Sequence, residues 1–171
     1  MTKQREPMDP NQVANDLLFQ DQQWMTKALA LAEKAAASGE VPVGAIIVDE
    51  CNQVIGEGWN QPISSNDPTA HAEIIAVRQA AAHCGNYRLP NTTLYVTLEP
   101  CTMCAGAIIH SRIGRLVFAA AEPKAGAVVS QSQVLNQGHN NHSVEFTGGV
   151  CAEQASTMIS QFFAARRADK K

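Results

Sequence analysis

The sequence predicts a single α/β domain, and three observations carry that prediction. A chain of 171 residues, 45% apolar and 17% charged, has the size and composition of one domain that buries its own core. Short runs rich in β-formers alternate with segments of helical period. Between residues 93 and 119 a strand, a helix and a second strand follow one another, which implies a parallel pair with a covering helix.

Taken in order, residues 1–20 are mostly polar and contain Pro7 and Pro10, so they read as a tail or loosely docked arm ahead of the domain at 21–167. Apolar or small residues at 24, 28, 31 and 35, with Gly39 as a stop signal, predict a first helix over about 21–38. Val43 to Asp49 and Val54 to Trp59 form two extended runs around Glu50-Cys51-Asn52 and predict a hairpin. The loop 60–69 is rich in Pro, Ser, Asn and Asp, and Thr69 is the expected N-cap of a helix over about 70–83. His71 and Glu73 then fall in its first turn, and Ile74, Ile75 and Val77 form its core face. Thr93 to Leu98 predicts a third strand, Pro100 starts a helix running to about Ser111, and Arg115 to Ala119 gives a fourth strand. The long segment 120–142 is expected to be functional or to hide a short helix at Val134-Leu135. A last strand near 144–147 precedes an amphipathic helix carrying Ala155, Met158, Ile159, Phe162 and Phe163, and residues 168–171 end the chain as a basic tail.

Composition narrows the function classes. No apolar run approaches the ~20 residues of a membrane span, and residues 1–7 lack the apolar stretch of a signal peptide, so the expected compartment is the cytoplasm. Five cysteines, at 51, 84, 101, 104 and 151, make a poor disulfide framework. Cys51, Cys84 and Cys151 read as buried small hydrophobes, which leaves Cys101 and Cys104 for metal chemistry. A formal charge of −3 gives no whole-molecule argument for nucleic acid. The end of the chain does: Arg166, Arg167, Lys170 and Lys171 stand against Asp169 alone. Their bland reading is a helix C-cap, where the dipole favours cations.

The chemistry lies in His71-Ala72-Glu73 and Pro100-Cys101-Thr102-Met103-Cys104. Two thiolates at i and i+3 of one helical turn converge on one metal, His71 supplies a third ligand, and zinc favours sulfur and imidazole in a tetrahedral shell. Three protein ligands leave one position for water. Helix N-termini favour thiolates over thiols. Glu73 sits too close to His71 in sequence to join it as a ligand, so its natural role is proton transfer. Two thiolates formally cancel the zinc charge, which makes a carboxylate base more necessary. The combination H-x-E with P-C-x-x-C is the signature of zinc deaminases. A structural zinc closed by His83, Cys84 or His110 is the alternative, and His110, His139 and His142 otherwise read as surface or structural histidines.

The strings Gly39-Glu40-Val41-Pro42-Val43-Gly44-Ala45, Gly56-Glu57-Gly58-Trp59-Asn60 leading to Asp67-Pro68-Thr69-Ala70-His71-Ala72-Glu73, and Leu94 through Ala107 continuing to His110-Ser111-Arg112-Ile113 resemble the bacterial tRNA-specific adenosine deaminases of the cytidine deaminase superfamily. The resemblance spans about residues 22–167. It implies a three-layer cytidine-deaminase-like fold, with a five-stranded mixed sheet and helices on both faces. It also implies a homodimer, one zinc per subunit, and conversion of the wobble adenosine of a tRNA anticodon loop to inosine. By matching position, His71, Cys101 and Cys104 correspond to zinc ligands, Glu73 to the proton shuttle, Asn60 to a pocket residue, and Phe163, Arg166 and Arg167 to positions near the bound loop. The chain departs from the pattern at Glu122, where the family commonly carries Asp. The zinc signature is shared with deaminases of free bases and nucleosides, and an RNA-binding subunit with a structural zinc remains a third reading.

Overall fold

A computed structural model describes residues 9–169; residues 1–8 of the expected 1–20 tail and the terminal Lys170 and Lys171 lie outside it, and residues 10–20, read as a tail or loosely docked arm, are instead part of the first helix. Helix α1 spans Pro10–Ala37 and is longer than the sequence reading, because Asp9 caps it by accepting the Asn11 amide at 2.9 Å and Pro10 occupies its first turn. Strands β1 (Gly44–Val48) and β2 (Val54–Trp59) form the predicted hairpin, and a four-residue helix α2 (Pro62–Ser65) interrupts the following loop. Helix α3 (Ala72–Cys84), β3 (Thr93–Leu98), α4 (Thr102–His110), β4 (Arg115–Ala120), a 3₁₀ turn at Val134–Asn136, β5 (Glu145–Gly148) and α5 (Ala152–Ala168) complete the chain.

The five strands form one mixed sheet in the order β2-β1-β3-β4-β5. β1 pairs antiparallel with both β2 and β3, whereas β3, β4 and β5 run parallel. Alternation along β1 splits the core in two. Ala45 and Ile47 pack with Ala72, Ala76 and Ala80 of α3 and Ala105, Ile108 and Ile109 of α4. Ile46 and Val48 pack on the opposite face with Met25, Ala28 and Leu31 of α1 and Ala155 of α5. The result is three layers, α/β/α, as expected.

Burial corrects the sequence reading of one helix face and of three cysteines. The buried stripe of α3 is alanine, while Ile74, Ile75 and Val77 are half-buried. The helix lies too close to β2 for larger residues: a Cβ on Gly58 would meet the Ala72 carbonyl oxygen at 2.3 Å, and one on Gly56 the Ala76 oxygen at 2.3 Å. Cys51 and Cys84 are exposed and Cys151 is half-buried. Cys51 sits in the β1–β2 turn, where the Asp49 carboxylate accepts the amides of Cys51 and Gln53, and Cys84 ends α3, so neither position faces a core.

One buried charge ties the α1 layer to the sheet. Asp21, 2% exposed, accepts two bonds from the Arg115 guanidinium at 2.8 and 2.7 Å and one from the Tyr95 hydroxyl at 2.9 Å. The paired, hydrogen-bonded geometry makes that burial tolerable. Among the described residues no helix is long and apolar enough to cross a membrane.

Candidate active site

The C-terminal end of β3 is where the chemistry collects. In an open sheet with parallel strands this edge is the usual ligand crevice. β3 ends at Leu98, the chain turns through Glu99-Pro100, and α4 begins at Thr102 with Cys101 as its N-cap. Cys104 therefore lies on the first turn, buried, one helical step from Cys101. Across from it α3 starts at Ala72 with His71 as N-cap. Thr69 is not the cap, contrary to the sequence reading. It is tied back to Asp67, which accepts both its amide and its hydroxyl, at 2.8 and 2.7 Å. The free Ala72 amide is instead taken by the Asn60 side-chain oxygen at 2.9 Å.

His71 Nδ1 is 3.7 Å from Cys101 Sγ and 3.6 Å from Cys104 Sγ, and all three donor atoms lie within 4.8 Å of one another. Tetrahedral zinc, with Zn–N about 2.0 Å and Zn–S about 2.3 Å, sets N and S roughly 3.5 Å apart, so the donors fit that ion. The protonation of Cys101 fits it too. The Cys104 thiol and the His71 ring, both hydrogen-bonded to Cys101, hold its thiol down at about 4, while those contacts with Cys101 push His71 up. A thiolate at Cys101 is the ligand form that a borderline-soft cation takes. No other cluster of this kind occurs among the described residues. His83, Cys84 and His110 are exposed at the far ends of α3 and α4 and do not join it.

Glu73, 4% exposed, lies beside this cluster on the first turn of α3. Burial pushes its carboxyl up to about 7, the range in which a group both takes and returns a proton near neutral pH. His71, Glu73 and Cys101 share a cavity of 330 Å³ with Asn60, Pro62, Leu98, Glu122 and Phe163, at the lower end of the roughly 300–1,000 Å³ of small-molecule sites. Its walls also include Val41, Val43, Ala125 and Ile159. Phe163 is 42% exposed at the wall supplied by α5. Arg166 reaches the Gly39 carbonyl at 3.4 Å and stacks on Phe162 at 5.4 Å. It does not line the cavity, and neither does Arg167. A larger depression of 520 Å³ along residues 135–138 and 140–143 holds no metal-ligand cluster.

The sequence reading missed Glu99. This buried carboxylate accepts backbone amides from Glu122 (2.9 Å), Val128 (3.1 Å), Val129 (2.8 Å) and Ser130 (2.9 Å), and also the Ser130 hydroxyl. Burial acts to raise its pKa, but these donors outweigh it and hold the carboxyl at about 2. The one available signal was a charged residue between an apolar strand and a proline, which says nothing of its partners.

An α/β/α sandwich that presents a His-Cys-Cys zinc cluster and a buried glutamate to one cavity defines a zinc-dependent deaminase. Residues 19–120 match the cytidine and deoxycytidylate deaminase zinc-binding region. The tRNA-specific adenosine deaminase of Haemophilus influenzae is 57% identical over 151 residues, covering 88% of this chain and 87% of that protein. That of Bacillus subtilis is 40% identical over 154 residues, covering 90% and 95%. The chain belongs to the tRNA-specific adenosine deaminase family. A solved structure described for A-to-I editing by tRNA:A34 deaminases at the wobble position of transfer RNA superposes with TM-score 0.77 at 41% identity, covering 80% of this chain and 98% of that one. A guanine deaminase from Bacillus subtilis is 34% identical with TM-score 0.55, covering 85% and 92%.

Proposed function

We propose that this chain converts the wobble adenosine of a tRNA anticodon loop to inosine, with water as co-substrate and ammonia as second product. The observation that carries the reading is the buried Glu73 beside the His71-Cys101-Cys104 cluster, in a cavity open to solvent. The high identity to tRNA-specific adenosine deaminases supports adenosine in RNA as the substrate. His71, Cys101 and Cys104 hold the zinc, which when bound supplies the Lewis acidity that makes water nucleophilic near neutral pH. Glu73 takes one proton as water attacks C6 and passes it to the ring nitrogen N1. It then takes the second from the new C6 hydroxyl as the carbonyl forms and passes it to the departing amine, which leaves as ammonia, so Glu73 ends the cycle as it began. Asn60 fixes the start of α3, and with it His71, while its side chain walls the pocket.

The RNA contacts come from α5. Phe163 offers an aromatic face at the cavity wall, and Arg166 and Arg167 project from the last turn of the same helix, a pairing of stacking surface and cation suited to a splayed loop. Ile63, next to the pocket residue Pro62, and Val129, on the loop that Glu99 holds, are 62% and 48% exposed; they are the apolar surface a second copy would cover in a homodimer. A tRNA substrate supports the cytoplasm as the compartment.

The likeness to a guanine deaminase favours one other reading, deamination of a free base. Zinc-loaded protein given an anticodon stem-loop, guanine and cytidine side by side separates the two. Inosine in the stem-loop is expected, and turnover of guanine alone would overturn the proposal. Sedimentation at micromolar concentration is expected to give the dimer mass.

A further inference from the structure

The loop that follows β4 supplies one wall of the cavity through Glu122 and Ala125, yet residues 121–133 contain no helix or strand. What holds it is Glu99. The two carboxylate oxygens divide the work: Oε1 accepts the amides of Val128, Val129 and Ser130, and Oε2 accepts the Glu122 amide and the Ser130 hydroxyl. The loop closes directly on the carboxylate, since a Cβ on Gly126 would lie 2.5 Å from Glu99 Oε2. Supporting bonds run from the Ala127 amide to the Pro100 carbonyl and from the Gly126 amide to the Glu122 carbonyl, at 2.8 and 2.9 Å. Glu99 is 2% exposed, and every one of its side-chain donors comes from this one loop.

We propose that Glu99 is a positioning residue for substrate binding, which sets Glu122 at the cavity wall through its Oε2 bond to the Glu122 amide. A carboxylate is required because all its partners are donors and only an acceptor on both oxygens satisfies them. Glutamine keeps the shape but presents one oxygen and one amino group. The oxygen serves best at the Oε1 position, where three amides meet. The amino group then faces the Glu122 amide, donor against donor, while the Ser130 hydroxyl turns to accept. Glu99→Gln therefore frees Glu122 selectively and leaves residues 128–130 held. The substitution acts on how the substrate sits, not on Glu73 or the metal donors.

This inference rests on the proposed deaminase activity, and its test keeps the two apart. Steady-state deamination of an anticodon stem-loop is measured for the zinc-loaded wild type, Glu99→Gln, Glu122→Ala and the double variant, with zinc content and amide hydrogen exchange recorded for each. Glu99→Gln is expected to raise KM about 10-fold, the scale of one lost hydrogen bond with kcat within about 3-fold. The double variant is expected to be no worse than the poorer single one, and exchange at residue 122 to accelerate while 128–130 stay protected. Unchanged KM, multiplying effects, or lost zinc with a collapsed kcat would each overturn the role. Should Glu99→Gln not fold, Glu122→Ala alone is expected to raise KM by at least about 3-fold; an unchanged KM there overturns the proposal. If wild type does not turn over the stem-loop, the substrate reading fails by itself, and exchange at residue 122 still decides what Glu99 holds.

Discussion

The Asn60 side-chain oxygen accepts the Ala72 amide at 2.9 Å, so a residue in the cavity wall also satisfies the first amide of the helix that begins after His71 and carries Glu73. Loss of an N-cap acceptor costs about 1 kcal/mol. Asn60→Ala is expected to lower stability by about that amount, and Asn60→Asp, which keeps the acceptor, by much less. Urea denaturation of the three proteins checks this; equal loss in both variants would show that the cap bond is immaterial.

Glu73→Gln is expected to retain zinc and fold while deamination falls by roughly 10²- to 10⁴-fold, the range for a lost general acid-base group. Cys101→Ala and Cys104→Ala are expected to lose zinc and stability together, because the free energy of binding at such a site is partly folding free energy. Metal analysis after dialysis separates the two groups. Full zinc in either cysteine variant would show the ligand set to be wrong.

Tyr95 gives a pH signature away from the site. Burial, then the hydrogen bond to Asp21 and its negative charge, push the phenol above its usual value, with Arg115 opposing. A group raised on folding contributes stability that is whole below its unfolded pKa, about 10, and is lost as pH rises beyond it. Wild type should therefore lose stability more steeply above pH 10 than Tyr95→Phe does. Denaturation midpoints of both proteins between pH 8 and 11 test it; parallel curves would contradict the assignment.

Arg166 and Arg167 decide whether α5 meets phosphates. Replacing both with Ala is expected to weaken stem-loop binding and to flatten its salt dependence by up to about 1.4, roughly 0.7 for each single-stranded phosphate neutralised. Zinc content should not change. An identical slope would remove the pair from the RNA surface and leave it a helix C-cap.

Sequence alone determined the α/β class, the two cysteines one helical turn apart, the H-x-E pair and most strand boundaries. These are local properties: side-chain period, β-branched runs and short spacings act over a few residues. It misjudged the start of α1, the cap of α3 and the burial of Cys51 and Cys84, because each depends on what the neighbouring chain offers. Thr69 has the right chemistry for a cap, but Asp67 claims its hydroxyl and Asn60, twelve residues before Ala72, takes the open amide. Alanine, not isoleucine, faces the core of α3 because glycines on β2 bring the helix against the strand. The cavity is wholly a tertiary product, with walls drawn from residues 41 to 163. Glu99 shows why: its meaning lies in amides 23 to 31 residues away, and a buried charge can be read only once its partners are in place.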